Sequence, residues 1–380
     1  MAALNTTSTG PAAIIRQHFD AKFMDRLERD AIVADLLESR TIPTNSGDVV
    51  QFHRMQALAL QTVGLSANDA AGQAWGNAHP SIHATAGQLK ATAFVIDNVP
   101  AQLQIIGNDT QITELALLTM EPNPIPELSD VFMYNGLGTM EQKCYNLMIS
   151  GQHASNPNGD SQTSTVPSVT YNGASVSVTT IWGDGSATLT EATLDADNPN
   201  HRAAAESLNV ATFRLRNNAV PVHPRFGLYA ALVSPGTGAD LRLDGTFQEI
   251  ALKGTNRGEN KFERALIGDI FGCRVMETPY ASYALGSSGT IDATNDQIHR
   301  SVVFGLGYAC KISHKTGPGR PKFNLIMPSP SAADPYGNVA FLTWKAYFAG
   351  TVLNPLAGVI WKTATTNTAR NQSGDQGQWG

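Results

Sequence analysis

Two short apolar runs within residues 224–279 constrain the fold more than any other feature of the sequence. The first run extends from Phe226 to Val233 and is followed at once by Ser234-Pro235. The second run follows Leu266-Ile267-Gly268 and covers residues 270–277. A short continuous apolar run bounded by turn-forming residues is typical of a core strand. The region therefore predicts two strands, at 226–233 and 270–277, separated by a more polar stretch.

The charge content of the chain favours a protein that hides much of its surface against partners. Charged residues make up 15% of the 380 residues and apolar residues 42%. Soluble domains usually carry about 25% charged residues, so the charged fraction of this chain is low. A low charged fraction is expected where much of the surface is covered by partners. The net charge of -6 argues against nucleic-acid binding through phosphate neutralisation, which needs clustered lysine and arginine. Composition therefore favours an assembling globular protein.

Nothing in the sequence indicates secretion, a disulfide framework or a membrane span. Cys144, Cys273 and Cys310 are widely separated, and an odd number without a Cys-x-x-Cys pair predicts reduced, buried thiols. The first residues, MAALNTTSTGP, lack the basic and apolar regions of a signal peptide. The apolar stretch from Trp344 to Trp361 contains Lys345, Asn354 and Pro355, and this interruption predicts core rather than membrane.

Apolar spacing predicts three helical regions. Residues 11–39 repeat apolar side chains at helical spacing, with charged residues between them. Residues 113–151 read as helix in two parts, split by the proline-rich segment 121–126, and the second part is a long helix from 127 to 150. A further helix is predicted at 201–218, with an Asn or Asp near its start as cap. The apolar faces of the last two are predicted from Leu128, Val131, Phe132, Leu137, Met140, Leu147 and Met148, and from Ala204, Leu208, Ala211, Phe213 and Leu215.

Two long segments lack a sustained period. Residues 57–91 are rich in Ala and Gly, and strands predicted on either side, at 49–54 and 92–96, would pair as the base of a long projecting hairpin. Residues 152–190 are rich in Ser, Thr, Asn and Gly and predict a surface insertion of loops and weak strands. The remaining strands are predicted at 301–312 and 323–327, with a last ordered block at 338–362 that ends in a strand.

No residue pattern in the sequence predicts a catalytic, cofactor or metal site. His79 and His83 are four apart, but Pro80 and their Ala/Gly surroundings argue against the helix that a metal pair needs. Gly305-Leu306-Gly307 lacks the third glycine of a dinucleotide loop and is predicted to lie inside a strand. The other patterns set aside are the glycine-rich turn 315–322, the incomplete calcium-loop start Asp195-Ala196-Asp197-Asn198, and Glu114, Glu121 and Glu127.

The order of features in 224–279 resembles the signature region of the N-four-like family of tailed-phage major capsid proteins, which have the Hong Kong 97-type fold. The matching order is a strand, Ser234-Pro235, Asp240-Leu241-Arg242 and a second strand that closes on Glu277-Thr278-Pro279. Scattered blocks extend the resemblance to about half of the chain, at 47–52, 331–337 and 343–348. The fold class implied is α+β, with an amino-terminal arm, an extended loop, a peripheral domain with a long spine helix, and an axial domain.

The resemblance also implies a domain order. Residues 1–46 would be the arm, 47–110 the extended loop and its base strands, and 111–151 the peripheral domain with the spine helix. Residues 152–190 would be an insertion, and 191–328 the axial domain with peripheral segments at its start. Residues 329–364 would return to the peripheral domain before a polar tail at 365–380.

As a major capsid protein, the chain would assemble with itself into hexameric and pentameric capsomers of an icosahedral head around double-stranded DNA. Its other partners would be a portal protein, a cement or decoration protein, and a scaffolding protein that is separate or lacking. Assembly would occur in the bacterial cytoplasm, without a membrane or enzymatic activity. Some relatives crosslink a loop lysine to a neighbour's asparagine; Lys90 lies near the predicted loop, but no catalytic glutamate is assigned. The alternatives are an encapsulin-like nanocompartment shell, a tail tube, and a β-rich protein that binds or hydrolyses carbohydrate.

Overall fold

The computed structural model of the chain divides into two compact units, Gln51–Pro100 and the remainder, Met1–Val50 with Ala101–Gly380. The residues described are 31–41, 49–55, 96–113, 115, 124–150, 168–171, 174–187, 198–249, 266–281, 283–285, 297–313, 321–326, 336 and 338–365.

Strands and helices alternate irregularly along the chain. Its helices are α1 (Val33–Leu36), α2 (Pro124–Ser150), α3 (Ala205–Asn217) and α4 (Pro235–Leu243), with short helical turns at Pro199–His201, Gly245–Phe247 and Pro355–Ala357. The strands are β1 (Glu38–Arg40), β2 (Val49–Met55), β3 (Ile96–Gln102), β4 (Gln104–Thr113), β5 (Ser168–Tyr171), β6 (Ala174–Ser177), β7 (Thr179–Trp182), β8 (Tyr229–Val233), β9 (Leu266–Ile270), β10 (Cys273–Glu277), β11 (Tyr283–Leu285), β12 (Gln297–Phe304), β13 (Ala309–Ile312), β14 (Lys322–Ile326), β15 (Val339–Phe348), β16 (Gly350–Val352) and β17 (Gly358–Thr365).

A mixed seven-stranded sheet forms the centre of the larger unit, in the order β7-β17-β12-β8-β10-β9, with β11 paired to β12. Strands β7, β17, β8 and β10 point the same way, because β7 pairs β17 and β8 pairs β10 in parallel while β12 runs antiparallel to β17 and β8. Every residue of β8 and β17 is buried. Strands buried along their whole length are expected where both faces of a sheet are covered.

Both strands predicted within residues 224–279 are present, and both are shorter than predicted. The first begins at Tyr229 rather than Phe226, because residues 224–227 form a turn. The second begins at Cys273 and is preceded by β9, with which it forms an antiparallel hairpin around Phe271-Gly272. Phe271 and Gly272 both have positive φ, at 51° and 78°. This turn conformation breaks the apolar run into two strands where the sequence suggested one.

Strand β7 corrects the prediction that residues 152–190 form a surface insertion. It pairs in parallel with β17 at one edge of the central sheet, and Ile181 and Trp182 are buried. Strands β5 and β6, by contrast, form a separate two-stranded hairpin. The Ser/Thr-rich composition of the segment conceals β7, because its burial comes from packing against a strand that lies more than 170 residues later in the sequence.

Strand β17 lies in the central sheet, where it pairs in antiparallel fashion with β12. The chain therefore re-enters the sheet of β8 and β10 at its end. The predicted strand at 301–312 is likewise two strands, β12 and β13, with a turn between them. Gly305-Leu306-Gly307 lies in this turn, where Gly307 has a φ of 75°, and the prediction that it sits inside a strand is wrong.

Helix α2 confirms the predicted long helix, which begins three residues earlier than expected, at Pro124. Its buried side includes Phe132, Leu137, Met140, Leu147 and Met148, whereas Val131 is 57% exposed. A three-stranded sheet in the order β14-β15-β4 packs beside it, with the indole Nε1 of Trp344 donating to Asn135 Oδ1 at 3.2 Å. Strand β4 was not predicted from the sequence, because most of its side chains are exposed and it contains Gly107, Asn108 and Asp109.

Near the amino terminus, the prediction of a helix over residues 11–39 is wrong at its carboxyl end. Helix α1 stops at Leu36, and residues 38–40 form β1, which pairs in parallel with β13 in a second three-stranded sheet. The part of the prediction before residue 31 lies outside the described residues. Strands β2 and β3 pair with each other, and β2 confirms the predicted strand at 49–54. Of the strand predicted at 92–96, residues 92–95 lie outside the described residues, and Ile96 begins β3.

Helix α3 confirms the predicted helix at 201–218, but its ends differ from the prediction. The backbone N–H of Ala205 donates to Asp244 Oδ2 at 2.6 Å, so the cap comes from a distant residue rather than from the local Asn and Asp residues. On the predicted apolar face, Leu208, Ala211 and Leu215 are buried, whereas Phe213 is 62% exposed. At the other end, the N–H groups of Ala219 and Val220 donate to the carbonyl oxygens of Arg216 and Leu215. This pattern is a Schellman motif.

We expect Ala219→Gly to raise the free energy of unfolding by about 1 kcal/mol. Ala219 occupies the left-handed position of the Schellman motif, with a φ of 52°, and a Cβ atom is disfavoured there. Urea denaturation of the two proteins measures the change. Ala211→Gly is the matched control, because the same substitution inside α3 should lower stability by at least about 1 kcal/mol. A loss of stability for both variants would contradict the prediction.

We expect Gly358→Ala to lower the free energy of unfolding by about 2 kcal/mol, through overpacking. A Cβ atom at Gly358 would stand 2.2 Å from Cε2 of Tyr308, which is buried. The ring is not free to move aside, because its hydroxyl donates to the carbonyl oxygen of Met148. Gly245→Ala is the control, since no atom lies within 4 Å of its added Cβ. Equal stabilities of the two variants in urea denaturation would show that Tyr308 does yield.

The cysteine and tryptophan predictions are confirmed. Cys144, Cys273 and Cys310 are free, buried thiols. Burial raises the pKa of Cys144 and of Cys310 to about 12, so neither is a thiolate at neutral pH. Trp344 and Trp361 are buried in the core. Among the helices described, none is long and apolar enough to cross a membrane.

Candidate interaction surfaces and the anchored segment

The residues considered for chemistry in the sequence do not come together as a site. In the described part of the chain, no group of three or more His, Cys, Asp and Glu side chains is placed to hold a metal ion. His79, His83, Lys90, Asp195 and Asp197 lie outside the described residues, as do Glu114, Glu121 and nearly all of the 315–322 turn. Glu127 lies in the first turns of α2.

The most elaborate polar arrangement among the described residues attaches the amino-terminal segment to α2. The buried carboxylate of Glu141 accepts three consecutive backbone N–H groups. Oε2 accepts from Ile32 at 3.1 Å and from Val33 at 2.8 Å, and Oε1 accepts from Ala34 at 2.9 Å. These N–H groups belong to the start of a helix and have no partner within it. One side chain on α2 therefore satisfies the backbone of a segment more than 100 residues earlier.

The electrostatic setting of Glu141 is dominated by its burial. Removal from water raises the pKa of this carboxyl above its ordinary value, and the three N–H bonds and the positive charge of Lys311 only partly oppose the shift. Lys311 is itself buried, at 5% exposure, in β13. A buried acid of this kind has a high desolvation cost, and its hydrogen bonds make it tolerable.

A second contact holds the same segment by its carboxyl end. His223 Nε2 lies 3.1 Å from the carbonyl oxygen of Leu36, and the backbone N–H of Arg225 lies 3.4 Å from His223 Nδ1. These two contacts require a neutral imidazole with its proton on Nε2. Burial lowers the pKa of His223, with a smaller contribution from Arg225, and this favours the neutral form. An ion pair between Arg225 and Asp35 at 3.9 Å adds a third attachment.

This anchor was missed in the sequence, although one signal for it is present. In α2, Glu141 is four residues after Leu137 and three before Cys144, so it falls on the apolar face that the sequence predicts. A lone carboxylate on a buried helix face needs partners, and its position marks it as a structural anchor. The identity of those partners, residues 32–34, is not readable from the sequence.

The carboxyl edge of the central sheet holds a buried histidine. His299 on β12 is 1% exposed, and burial lowers its pKa to about 4. The imidazole faces the first turn of α4, where a Cβ atom added to Gly236 would stand 2.9 Å from His299 Nε2. The site is therefore filled by neighbouring residues, and it holds a neutral histidine at neutral pH.

Several large apolar side chains remain exposed on the described surface. The β14-β15-β4 sheet carries two of them on the face turned away from α2, at opposite ends: Ile105 is 67% exposed and Ile326 is 52% exposed. The others in this class are Val49, Leu115, Val131, Tyr134, Phe213, Val222, Leu243, Leu306, Tyr336 and Leu356.

Comparison with solved structures identifies the fold. The capsid of Ralstonia phage GP4 matches with a TM-score of 0.61 and 12% identity, over 88% of this chain and 89% of that chain. The capsid of cyanophage P-SCSP1u matches with a TM-score of 0.53 and 14% identity, over 88% of both chains. The capsid of cyanophage Pam1 matches with a TM-score of 0.53 and 12% identity, over 85% of this chain and 87% of that chain.

These likenesses confirm the predicted α+β fold class and its capsid type. No protein-family profile matches the chain, and no curated protein sequence does. The assignment to the N-four-like family and the predicted domain boundaries stay predictions.

Proposed function

We propose that this chain is the major capsid protein of a tailed phage, which assembles with itself into the icosahedral shell of the head. The observation that carries the proposal is a capsid fold shared over nearly the whole chain, with coverage of 85–88% here and 87–89% of the three capsid chains. Coverage on both sides means that the likeness extends beyond one common motif to most of the subunit. A fold alone does not define a function, so physical features of this chain must support the proposal as well.

Two such features support it. Only 15% of the residues are charged, and the described surface exposes large apolar side chains on several elements. Both are expected of a subunit whose surface is largely covered by neighbours in the assembled state. A closed shell also requires contacts that repeat by symmetry, and many modest contacts for each subunit add up to a stable particle. The role is structural rather than enzymatic.

The proposed partners follow from that role. The chain forms pentamers and hexamers with copies of itself, meets a portal protein at one vertex, and encloses double-stranded DNA without reading its sequence. A separate scaffolding protein and a cement or decoration protein are further candidate partners. The net charge of -6 supports an enclosing role, because a shell that bound its DNA tightly would hinder packaging and release. Assembly in the bacterial cytoplasm is part of the same proposal, and the three free buried thiols are compatible with it.

Negative-stain electron microscopy of the expressed chain tests the proposal. We expect isometric shells, or pentamers and hexamers that convert to shells when the protein is concentrated. A chain that stays monomeric at high concentration would overturn it. Open cylinders would indicate a tail tube instead. Shells that enclose a protein cargo from the host rather than DNA, in material from its natural source, would indicate an encapsulin-like compartment.

A further inference from the structure

The β14-β15-β4 sheet has one face turned toward α2 and another turned away. Side chains alternate along β15, where Ala340, Leu342 and Trp344 are buried, and Trp344 contacts α2 through Asn135. Residues that pair across antiparallel strands share a face, so the register defines what lies on the other side. We call that side the outer sheet face; it is formed by Lys322, Asn324 and Ile326 of β14, by Phe341, Thr343, Lys345 and Tyr347 of β15, and by Ile105, Asp109 and Gln111 of β4.

The outer sheet face has charge at its centre and apolar groups at both ends. Ile326 pairs with Phe341 at one end, and Ile105 pairs with Tyr347 at the other. Between them, Lys322 and Lys345 are directly opposite each other on neighbouring strands, and both are exposed. Like charges in direct cross-strand positions destabilise a sheet. Among the described residues, no carboxylate forms an ion pair with either lysine, including Asp109, which lies in the adjacent row beside Thr343.

We propose that the outer sheet face binds an acidic segment of a second copy of this chain, with carboxylates between Lys322 and Lys345 and apolar side chains over the two ends. This inference rests on the proposed function, and it names one surface through which the copies meet. It explains two unfavourable features together, since a partner would neutralise the lysine pair and cover Ile105 and Ile326.

A second copy fits this face better than DNA does. Phosphate binding uses clusters of lysine and arginine, whereas this face has only two lysines, together with the acid Asp109 and four large apolar side chains. A copy of this chain also offers carboxylates, since Asp and Glu number 32 against 26 for Lys and Arg. The contact is heterologous, because two identical outer faces placed together would bring four lysines into one cluster. Heterologous contacts are the kind that close into rings.

The substitution Lys345→Glu tests the surface, because it predicts opposite effects on the subunit and on the shell. In the free subunit, an acid at position 345 would attract Lys322 and be repelled less strongly by the diagonal neighbour Asp109, so the thermal unfolding temperature should rise by at most about 1 °C. In assembly, the same acid should repel the carboxylates of the neighbour and raise the protein concentration needed for shells by about tenfold. Arg214→Glu, on the exposed side of α3, is the matched charge-reversal control and should leave that concentration unchanged.

Zero-length carbodiimide crosslinking of shells built from a mixture of normal and ¹⁵N-labelled chains provides the direct readout. We expect Lys322 or Lys345 to become linked to an Asp or Glu of another copy, seen as mixed-isotope peptides. The inference is overturned if Lys345→Glu assembles at the same concentration as the unchanged protein. It is also overturned if the lysines link only to Asp109 of their own copy, or are protected only when DNA is inside. Unchanged protein that forms no shells would instead count against the proposed function, and this inference would then fall with it.

Discussion

Replacing Glu141 by alanine is expected to lower the free energy of unfolding by about 3–5 kcal/mol. The carboxylate accepts N–H groups from Ile32, Val33 and Ala34 in a site where Glu141 is 2% exposed. Alanine would leave these three donors buried without an acceptor, and each unsatisfied group costs about 1–3 kcal/mol before relaxation. It would also remove the negative charge near the buried amine of Lys311. Urea denaturation of the unassembled subunit measures the loss.

Two further variants separate this anchor from a general effect of removing an acid. Glu141→Gln keeps one carbonyl oxygen as an acceptor and should lose less stability than the alanine variant. Glu206→Ala removes an exposed carboxylate in the first turn of α3, and it should cost less than about 1 kcal/mol. Hydrogen exchange adds a local measurement, since the amides of residues 32–34 should exchange faster in Glu141→Ala. If the alanine variant unfolds like Glu206→Ala, Glu141 is not an anchor.

Acidification should destabilise the subunit through His299, by about 3 kcal/mol between pH 6.5 and pH 4. Burial lowers the pKa of His299 from 6.5 to about 4. The unfolded chain therefore takes up a proton at this residue near pH 6.5, whereas the folded chain resists it until about pH 4. The contribution of His299 is complete above pH 6.5 and is lost progressively as the pH falls through that window.

The comparison of the unchanged protein with His299→Asn isolates this residue. Asparagine does not titrate, so the stability of the variant should fall less steeply between pH 6.5 and pH 4. His223, whose pKa burial also lowers, contributes in the same direction, but it is present in both proteins and cancels in the difference. Parallel profiles of the free energy of unfolding against pH would show that His299 is protonated without strain.

Long elements with a strong apolar pattern were predictable from the sequence. Elements that depend on contacts with distant segments of the chain were not. The long helix α2 and the strands β8 and β10 follow from their own apolar residues. Strand β7 does not, because a Thr/Ile/Trp segment among Ser and Asn residues becomes a core strand only beside β17. The predicted burial of Val131 and Phe213 was wrong. Helical spacing identifies the apolar face of a helix, but it does not show which residues of that face are covered by neighbouring elements.

For the outer sheet face and for the Glu141 anchor, the sequence likewise shows the residues but not their partners. Lys322 and Lys345 are ordinary lysines in the sequence, and only the register of β14 with β15 makes them a facing pair. Glu141 was visible as an acid on an apolar helix face, but its three donors lie in a segment that was predicted as one continuous helix. Register and long-range hydrogen bonding depend on which segments meet, and the local pattern does not determine that.

By itself, the sequence determined the mixed α+β class, the reduced buried thiols, the core character of Trp344 and Trp361, and a surface poor in charge. These properties depend on residue type and short-range spacing. The tertiary structure alone decided the strand order, the placement of β17 between β7 and β12, and the attachment of residues 32–36 to Glu141 and His223. Pairings across 100 residues or more are set by the packing and desolvation of the whole core, and these are properties that no single segment contains.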